Sequence, residues 1–368
     1  GIIGDMMDLR TLENRYIVSE GLKNIKNACI IQIIEKQSYS IGDTDNLNPT
    51  HIAFYITPLI NALIRVGSQQ EKESLFQALI NGNEMVPSTK RGAKGTYESL
   101  GTQCARNCVN ARSRQNRAKE KAIDELEIKI FNDNLDENKV IFIPVEPSNN
   151  IDSTLTGLIA MQIMNKYKKP VIIAKENNEG YFRGSARGDS KSELKNLKTF
   201  FQNSGLFEYA EGHECAHGVS IHKKNIDKLI SYANEELKDI NFNEGVYEID
   251  FIRNSNAPDL KDLINELGKY SYLWGQGIEE PLICIENIHL EKSDIQLIGT
   301  SKDTLKFEKN GIVFIQFKAK KLIERLENHN SINATVIGRA NLNNWMGKVS
   351  PQIFIDDCNI EKSSIFDF

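Results

Sequence analysis

The first third of the chain has apolar positions at a helical spacing. In Glu13–Ile25 and in Glu71–Ile80 they recur three or four residues apart, which places them on one face of a helix. Asn46–Thr50, between these segments, is rich in turn-forming residues and predicts a loop. Tyr97–Phe131 predicts one long, highly charged helix that connects two parts of the protein. This third is therefore predicted to be mainly helical.

Beyond the long helix, short apolar runs typical of buried strands alternate with helical patterns. The predicted strands are Val140–Val145, Val171–Ala174 and Tyr181–Arg187, and the predicted helices are Thr154–Tyr167 and Ser192–Gln202. This alternation predicts an α/β domain.

The last third of the chain is predicted to be rich in strands. Val246–Ile252 has the pattern of a strand, Asp259–Leu267 that of a helix, and Ala319–Glu327 that of a second helix. The further predicted strands are Leu282–Leu290, Leu305–Phe307, Gly311–Phe317, Thr335–Ala340 and Gln352–Ile355. Five strands with one inserted helix fit a small OB-like barrel.

Composition narrows the class of protein. The 368 residues are 40% hydrophobic and 26% charged, which excludes general disorder and suffices for more than one domain. The longest apolar stretch, Ala53–Ile64, is interrupted by Thr57, Pro58 and Asn61. It is therefore too short for a membrane span, and the first residues lack the basic start of a signal peptide. The chain does not begin with Met, so we expect that it is part of a longer protein.

The six cysteines are scattered and show no disulfide pattern. In a chain of this length, such usage predicts reduced thiols and a cytoplasmic location. Cys104 and Cys108 form one close pair, but no second pair completes a zinc site, so a structural metal is disfavoured there.

The net charge of −5 is unevenly distributed. Residues 90–121 include nine basic side chains but only two acidic ones, Glu98 and Glu120. The basic residues are Lys90, Arg91, Lys94, Arg106, Arg112, Arg114, Arg117, Lys119 and Lys121. Two interpretations are open: a solvated helix face, or a surface for an anion such as a phosphodiester backbone.

The string His213–His217 has the H-E-x-x-H form of a zinc protease. That chemistry needs both histidines on one face of a sustained helix. Gly212 and Gly218 flank the string, however, and a strand-like alternation begins at Val219. The context therefore disfavours a metalloprotease.

Residues Phe182–Gly188 are a better candidate for ligand chemistry. Gly184 permits close approach of a ligand, Ser185 supplies a hydroxyl, and Arg187 supplies a two-pronged donor for a phosphate. The alternative interpretation is a tight turn that carries a surface arginine.

Short motifs follow one another along nearly the whole chain. They are Gly1–Leu9, Glu13–Arg15, Thr57–Arg65, Leu155–Ala160, Tyr167–Ile172, Gly184–Arg187, Glu211–Gly218, Trp274–Pro281, Asn344–Gly347 and Pro351–Ile353. In this order they resemble the RecJ family of single-strand-specific DNA exonucleases, which are DHH phosphoesterases. Gly188 stands where the family has a second serine, and Glu211 where it has the first of two glycines.

The resemblance implies an α/β fold made of a remnant of a DHH domain with a long helical connector, an α/β DHH-associated domain and a C-terminal β-rich, OB-like domain. The expected divisions are residues 1–96 for the end of the DHH catalytic domain, 97–135 for the connecting helix, 136–240 for the substrate-binding DHH-associated domain, 241–275 for a connecting segment and 276–368 for the OB-like nucleic-acid-binding domain.

The resemblance also implies chemistry with two divalent ions, Mn²⁺ or Mg²⁺, held by aspartates and histidines. Only the last of these ligands is matched, by Asp5, which is therefore expected to be both a catalytic residue and a metal ligand. The sequence contains no Asp-His-His motif. We accordingly expect this chain to be the C-terminal part of a longer enzyme and to be inactive alone.

The remaining matched residues are expected to hold substrate. Ser185 and Arg187, with the backbone at Gly184 and Gly212, would bind a phosphate. His213 would act as a catalytic donor near the scissile phosphate, the alternative being a purely structural histidine.

Other matched residues are expected to lie along the nucleic-acid strand. Arg65 would contact the backbone, and Asn61 beside it would bind substrate or only brace its loop. In the OB-like domain, Trp345 would stack on a base. Phe314 and Phe317 could also stack, although core packing is favoured, and Lys318, Arg339 and Lys348 could meet phosphates.

The function implied is a single-strand-specific DNA exonuclease of DNA repair or recombination. It would act as a monomer on single-stranded DNA, with a single-strand-binding protein as a further partner. Two alternatives stay open: a DHH-type phosphodiesterase for oligonucleotides or cyclic dinucleotides, and a non-catalytic scaffold that binds single-stranded nucleic acid.

Overall fold

The computed structural model describes residues 1–42, 44–146, 151–243, 245–299, 302–326, 331–345 and 348–362. The chain packs into two compact units. Unit 1 comprises Gly1–Ile60, Glu73–Arg106 and Glu248–Phe368, and unit 2 comprises Asn61–Lys72 and Asn107–Tyr247.

The helices are distributed along the whole chain. They are α1 (Leu12–Lys23), α2 (Ala28–Lys36), α3 (Ser38–Ile41), α4 (Pro49–His51), α5 (Thr57–Val66), α6 (Gln69–Asn81), α7 (Leu100–Asn132), α8 (Thr156–Tyr167), α9 (Leu197–Asn203), α10 (Ile226–Glu236), α11 (Leu260–Lys269) and α12 (Lys320–Leu326). A π-helical turn at Ile52–Ile56 joins α4 to α5, and short 3₁₀ turns lie at Leu135–Glu137, Ser153–Leu155, Lys223–Asn225 and Lys292–Asp294.

The strands form one hairpin and two larger sheets. They are β1 (Met85–Pro87), β2 (Tyr97–Ser99), β3 (Ile141–Val145), β4 (Val171–Glu176), β5 (Tyr181–Arg187), β6 (Phe207–His213), β7 (Ala216–His222), β8 (Phe251–Asn254), β9 (Leu282–Glu291), β10 (Gln296–Ile298), β11 (Thr304–Lys309), β12 (Ile312–Gln316), β13 (Ser331–Trp345) and β14 (Lys348–Lys362).

Unit 2 is built around a five-stranded sheet with the order β3-β4-β5-β7-β6. β3 and β4 are parallel, and the other pairs are antiparallel. Alternate residues of the buried strands face opposite cores. Ile141 and Ile173 pack with α8 and the second half of α7, whereas Phe142 and Ile172 pack on the other face with α9 and α10. The central strands are therefore covered on both sides.

Unit 1 contains the seven-stranded sheet, with the order β10-β11-β12-β14-β13-β9-β8. Its core includes Ile285, Val336 and Ile353 of the sheet together with Ile264 of α11. The α/β fold class with a C-terminal β-rich part is confirmed. The division into five domains stays a prediction.

Two motifs far apart in sequence pack together in unit 1. The Leu9 amide donates to the carbonyl oxygen of Gln276 at 2.8 Å. Gly277 has a φ of +82°, and a Cβ placed there would lie 2.3 Å from the Asp8 carboxylate. Only glycine fits this turn without strain, and the N-terminal segment thus packs against the turn that precedes β9.

The hairpin of β1 and β2 is fastened to the start of α7 by Glu98. Both guanidinium nitrogens, Nη1 and Nη2, of Arg106 donate to the Glu98 carboxylate at 2.6 Å. The Ser88 hydroxyl donates at 2.9 Å and the Thr89 amide at 3.2 Å. These hydrogen bonds, above all those from Arg106, lower the pKa of Glu98 to about 2. Glu98 therefore organises the loop and the helix at once.

Several predicted elements are confirmed, and some boundaries were wrong. The predicted helix Ser192–Gln202 begins only at Leu197, because the Asn196 side chain accepts a hydrogen bond from the Thr199 amide and caps the helix there. The strand predicted at Val246–Ile252 is found instead at Phe251–Asn254, because these residues pair with β9.

The predicted loop Asn46–Thr50 was also partly wrong. Asn48 caps a helix that starts with Pro49 at its first position, an arrangement that favours helix formation. The long helix begins at Leu100 rather than at Tyr97, because Tyr97–Ser99 pair with β1. From the sequence, α2, α10 and β6 were not predicted, whereas the strand-like alternation noted from Val219 lies within β7.

Within the described ranges, no helix combines the length and apolar character needed to cross a membrane. The six cysteines, all of which lie in the described part, form no disulfide.

We expect Glu98→Gln to reduce the free energy of unfolding at pH 7 by about 3 kcal/mol, because Arg106 loses its ionised partner in a partly buried position. The folded-state pKa lies below the ordinary value of 4.5. The contribution of the ionised group is therefore complete above about pH 4.5 and is lost as the pH falls toward 2. Denaturant unfolding at several pH values measures this difference.

The control for this prediction is Glu20→Gln, which removes an exposed pairing with Lys23 and should leave stability unchanged. Equal effects of the two substitutions, or a Glu98 effect that stays constant from pH 7 to pH 3, would contradict the role assigned to Glu98.

Candidate phosphate-binding site in unit 2

Ser185 and Arg187 lie two positions apart on β5, so their side chains share one face of the sheet. Ser185 is paired with Ile173 of β4, whose side chain packs toward α8. The Ser185 Oγ lies 3.0 Å from the Thr156 Oγ1 at the start of α8. Thr156 also lies 2.9 Å from the carbonyl oxygen of Ser153, to which it donates its proton. Ser185 is therefore the donor to Thr156.

The guanidinium of Arg187 lies against the first turn of α8. A Cβ at Gly157 would be only 2.4 Å from the Arg187 Nη2, so the glycine leaves the space that the guanidinium occupies. The Arg187 Nη1 donates to the Ala186 carbonyl oxygen at 2.7 Å. The start of a helix carries a partial positive charge and favours anions. The Arg187 guanidinium adds a full positive charge at this end of α8.

Two further arginines increase this positive charge. Burial, and then the neighbouring charge of Arg65, lower the pKa values of Arg187 and Arg112. We call Arg65, Arg112 and Arg187 the arginine cluster. Within the described ranges, no carboxylate forms an ion pair with any of the three, whereas nearby Arg114 is paired with Glu71 at 2.7 Å. The cluster can therefore accept a multiply charged anion.

Gln115 holds one member of the cluster. The Arg112 Nη1 donates to the Gln115 Oε1 at 2.7 Å. Gln115 is fully buried, and its Nε2 has no hydrogen-bond partner among the described residues. This hydrogen bond within α7 therefore holds the Arg112 guanidinium in place. Asn61 and Arg65 lie one turn apart on α5 and are both half-buried, which places them on the same helix face.

The two predicted glycines have structural reasons of their own. A Cβ at Gly184 would lie 1.9 Å from the Ile173 carbonyl oxygen, so this glycine allows β4 and β5 to approach closely. Gly212 has a φ of +131°, in the region that favours glycine, and a Cβ there would crowd His217. The expectation that these glycines also contact a ligand stays a prediction.

The H-E-x-x-H string forms the end of β6, a tight turn and the start of β7. His213 is exposed, whereas His217 is 3% exposed and packs edge-on against Phe201 with ring centroids 5.8 Å apart. A helix with both imidazoles on one face is therefore not formed. No group of three histidine, cysteine or carboxylate side chains suited to a metal occurs among the described residues.

His217 is held in its neutral form. Its Nδ1 donates to the His213 carbonyl oxygen at 3.2 Å, so the proton is on Nδ1. The bare Nε2 is buried without a partner in the described part of the chain. Burial, with smaller effects from Arg187 and Lys198, lowers the pKa of His217 to about 4. His217 thus links the turn that carries His213 to the core.

The other predicted site residues lie in unit 1. Asp5 is exposed in a turn where its amide donates to the Gly1 carbonyl oxygen at 2.8 Å. Trp345 ends β13, but its side chain, like that of Lys348, lies outside the described residues. The metal, catalytic and stacking roles of these residues stay predictions.

Phe314 and Phe317, in and just after β12, differ in exposure. Phe314 is 1% exposed and stacks on Phe307 at 4.6 Å, so it is a core residue. Phe317 is 62% exposed, which contradicts the favoured core assignment and leaves its ring accessible. Lys318 is also exposed, and Arg339 pairs with Asp356 at 3.1 Å.

The sequence interpretation did not single out Gly157, Gln115 or the specific role of Arg112. Gly157 belongs to one of the motifs and Arg112 to the basic segment, but spacing along the chain does not show that Gly157 lies against Arg187 or that Arg112 lies near Arg65. Their proximity depends on the packing of α7 and α8 on one face of the sheet.

Comparison with known proteins supports the motif assignment. Residues 257–357 match the family described as the RecJ OB domain. The chain is 35% identical over 371 residues to a protein named putative SPbeta prophage-derived single-strand DNA-specific exonuclease YorK, from Bacillus subtilis strain 168. That alignment covers 99% of this chain and 63% of the relative. The RecJ exonuclease of the same bacterium is 21% identical, with 100% of this chain and 44% of that protein covered.

A solved structure shows the same fold. The crystal structure of RecJ from Thermus thermophilus in complex with Mn²⁺ matches with a TM-score of 0.65 at 18% identity, covering 98% of this chain and 49% of that one. The predicted resemblance to RecJ-type exonucleases is therefore confirmed. The chain spans less than two thirds of the length of these curated relatives.

We expect His217→Asn to reduce the acid sensitivity of the fold. Unfolded histidine takes up a proton near pH 6.5, but folded His217 does so only near 4, so acid in this window favours unfolding. Between pH 7.5 and 5 the parent chain should lose about 2 kcal/mol more unfolding free energy than the variant. The matched control is His213→Asn, at an exposed position. If the parent and His217→Asn show the same pH dependence, His217 is not buried in its neutral form.

We expect Gly157→Ala to displace the Arg187 guanidinium, because the added methyl group would occupy its position. Only the end of a flexible side chain has to move, so the melting temperature should change little. Binding of inorganic phosphate, measured by titration calorimetry, should weaken. The control is Gly21→Ala in α1, where the methyl group meets no atom within 4 Å. Unchanged phosphate binding in Gly157→Ala would contradict the placement of Arg187.

Proposed function

We propose that this chain is the strand-binding part of a single-strand-specific DNA exonuclease, and that the arginine cluster binds the phosphates of the strand. The observation that carries the proposal is the cluster itself: three guanidinium groups without a carboxylate partner in the described chain, of which Arg187 lies beside the start of α8. A phosphodiester strand supplies negative charges in series and would relieve this repulsion.

Each residue of the site has a proposed task. Arg187 and Ser185 hold one phosphate: the guanidinium is a two-pronged donor, and the Ser185 hydroxyl turns its single proton from Thr156 to a phosphate oxygen. Arg65 and Arg112 contact the adjoining backbone, and Asn61 supports Arg65 from the same helix face. His213, exposed on its turn, donates to the scissile phosphate, while Gly212 provides the turn that presents it.

The unit 1 sheet supports the same substrate class. Residues 257–357 match the RecJ OB domain, and OB folds bind single strands by stacking bases on aromatic side chains along a positive groove. We propose Trp345 and the exposed Phe317 as stacking residues, and Lys318 and Lys348 as phosphate contacts. Arg339 is held by Asp356, so it is the weaker candidate.

We propose Mn²⁺ or Mg²⁺ as the metal of the complete enzyme, where a pair of ions would activate water and stabilise the leaving oxygen. Asp5 is the proposed ligand from this chain. A single exposed carboxylate does not complete a two-metal site by itself, and no group of three metal-binding side chains occurs among the described residues. This chain therefore supplies the strand contacts, and the other metal ligands would come from the rest of the complete enzyme.

The cellular setting is proposed on the same basis. A role in DNA repair or recombination, a single-strand-binding protein as partner, and a monomeric state follow from the resemblance to RecJ. A cytoplasmic location is consistent with six cysteines that form no disulfide.

We expect Arg187→Ala to weaken binding of a fluorescently labelled single-stranded oligonucleotide by tenfold or more, since a hydrogen-bonded charge pair contributes about 1.5–3 kcal/mol. The negative slope of log K against log salt should become shallower by about 0.7, because one phosphate contact is lost. The matched control is Arg183→Ala on the same strand, because Arg183 is exposed and paired with Glu208.

Two results would contradict the proposal: no salt-dependent binding of oligonucleotides by the parent chain, or equal effects of the two arginine substitutions. In a protein that carries this chain together with the missing metal-ligand motifs, Asp5→Ala should abolish Mn²⁺-dependent digestion of a labelled strand. Binding without digestion in that protein would favour a non-catalytic scaffold.

A further inference from the structure

The β1–β2 hairpin of unit 1 is a defined projection. Cross-strand pairs join Met85 to Ser99 and Pro87 to Tyr97. The ladder continues into the loop, where the Ser88 amide donates to the Thr96 carbonyl oxygen at 2.9 Å. Two turns shape the tip, with Ala93 donating to Lys90 and Thr96 donating to Ala93, both at 3.1 Å. The loop therefore has a fixed course.

The tip of the hairpin carries three positive charges. Lys90, Arg91 and Lys94 are exposed, and within the described ranges none of them forms an ion pair with a carboxylate. Glu98 is the only acidic residue between positions 85 and 99, and its carboxylate is engaged by Arg106. The three cations at the tip are therefore not neutralised locally.

The two faces of the hairpin differ in character. Val86 and Glu98 form a cross-strand pair and are half-buried. On the other face Tyr97 is 66% exposed and Met85 is 60% exposed. Glu98 holds the first face to α7 through Arg106, so an aromatic ring and an apolar side chain remain open to solvent beside a cationic tip. Neither feature contributes to the core of unit 1.

We propose that the hairpin is a second contact for single-stranded nucleic acid, in addition to the arginine cluster. The cations at the tip bind phosphates, and the ring of Tyr97 stacks on a base, which is the combination that single-strand-binding surfaces use. An acidic polypeptide would match the charges but would have no planar base for Tyr97. This inference rests on the proposed function, because it assumes that the chain binds a single strand.

The test is equilibrium binding of a labelled single-stranded oligonucleotide over a range of salt concentrations. The variant Lys90→Gln/Arg91→Gln/Lys94→Gln should make the negative slope of log K against log salt shallower by about 2, because each contact to a single strand accounts for about 0.7 of its magnitude. Tyr97→Ala should weaken binding about tenfold through lost stacking, whereas Tyr97→Phe, which keeps the ring, should bind normally.

A charge-matched control is Lys23→Gln/Lys26→Gln/Lys36→Gln, which removes three exposed cations of unit 1 that do not belong to the hairpin. It should leave the slope close to that of the parent chain. Circular dichroism and melting temperature verify that all variants are folded, as expected for changes in exposed side chains.

The outcomes separate this inference from the proposed function. If the parent binds, Arg187→Ala weakens binding and the tip variant behaves like the lysine control, the hairpin inference is overturned while the proposed function stands. If the parent does not bind the strand, both are overturned. If polyglutamate displaces the strand and Tyr97→Ala binds normally, the hairpin recognises acidic polypeptides, and the inference is again overturned.

Discussion

The electrostatic repulsion of Arg65 with Arg112 and with Arg187 is the constraint on which anion binding by the arginine cluster depends. Burial and like charge both act against the guanidinium groups, as the lowered pKa values of Arg112 and Arg187 show. Within the described chain no carboxylate offsets this repulsion, although Arg114, two positions from Arg112, has such a partner in Glu71. An arrangement that is unfavourable in the free protein becomes favourable when an anion enters, and strained electrostatics of this kind cluster at functional sites.

The sheet of unit 2 is what keeps this arrangement in place. The two-residue period of β5 puts Ser185 and Arg187 on one face, and Gly184 lets β4 approach closely enough to fix that strand. Gly157 then leaves room for the guanidinium at the start of α8. On the opposite face, His217 joins the turn of His213 to the core through its Nδ1 proton. Gly157 and Gly184 therefore have a structural role in packing, whether or not they also contact a ligand.

The sequence alone predicted the elements with a strong hydrophobic period and the resemblance to RecJ-type exonucleases. The strand Tyr181–Arg187 was predicted with its observed bounds, and α8 and α11 within two residues. Local hydrogen bonds decided the cases that failed: Asn196 delays α9, Asn48 starts α4, and pairing with β1 takes Tyr97 out of the long helix. Only part of the arginine cluster could be predicted from the sequence. Ser185 and Arg187 share a motif, but Arg112 joins them through tertiary packing, which no spacing along the chain reveals.

A crystal structure of this chain with a 5′-phosphorylated dinucleotide tests the central claim most directly. The account predicts a phosphate within hydrogen-bond distance of the Arg187 guanidinium and the Ser185 hydroxyl, beside the first turn of α8. Arg65 or Arg112 should then face the adjoining phosphate. A dinucleotide bound elsewhere, with Arg187 still donating only to the Ala186 carbonyl oxygen, would contradict the claim that the arginine cluster is the strand-binding site.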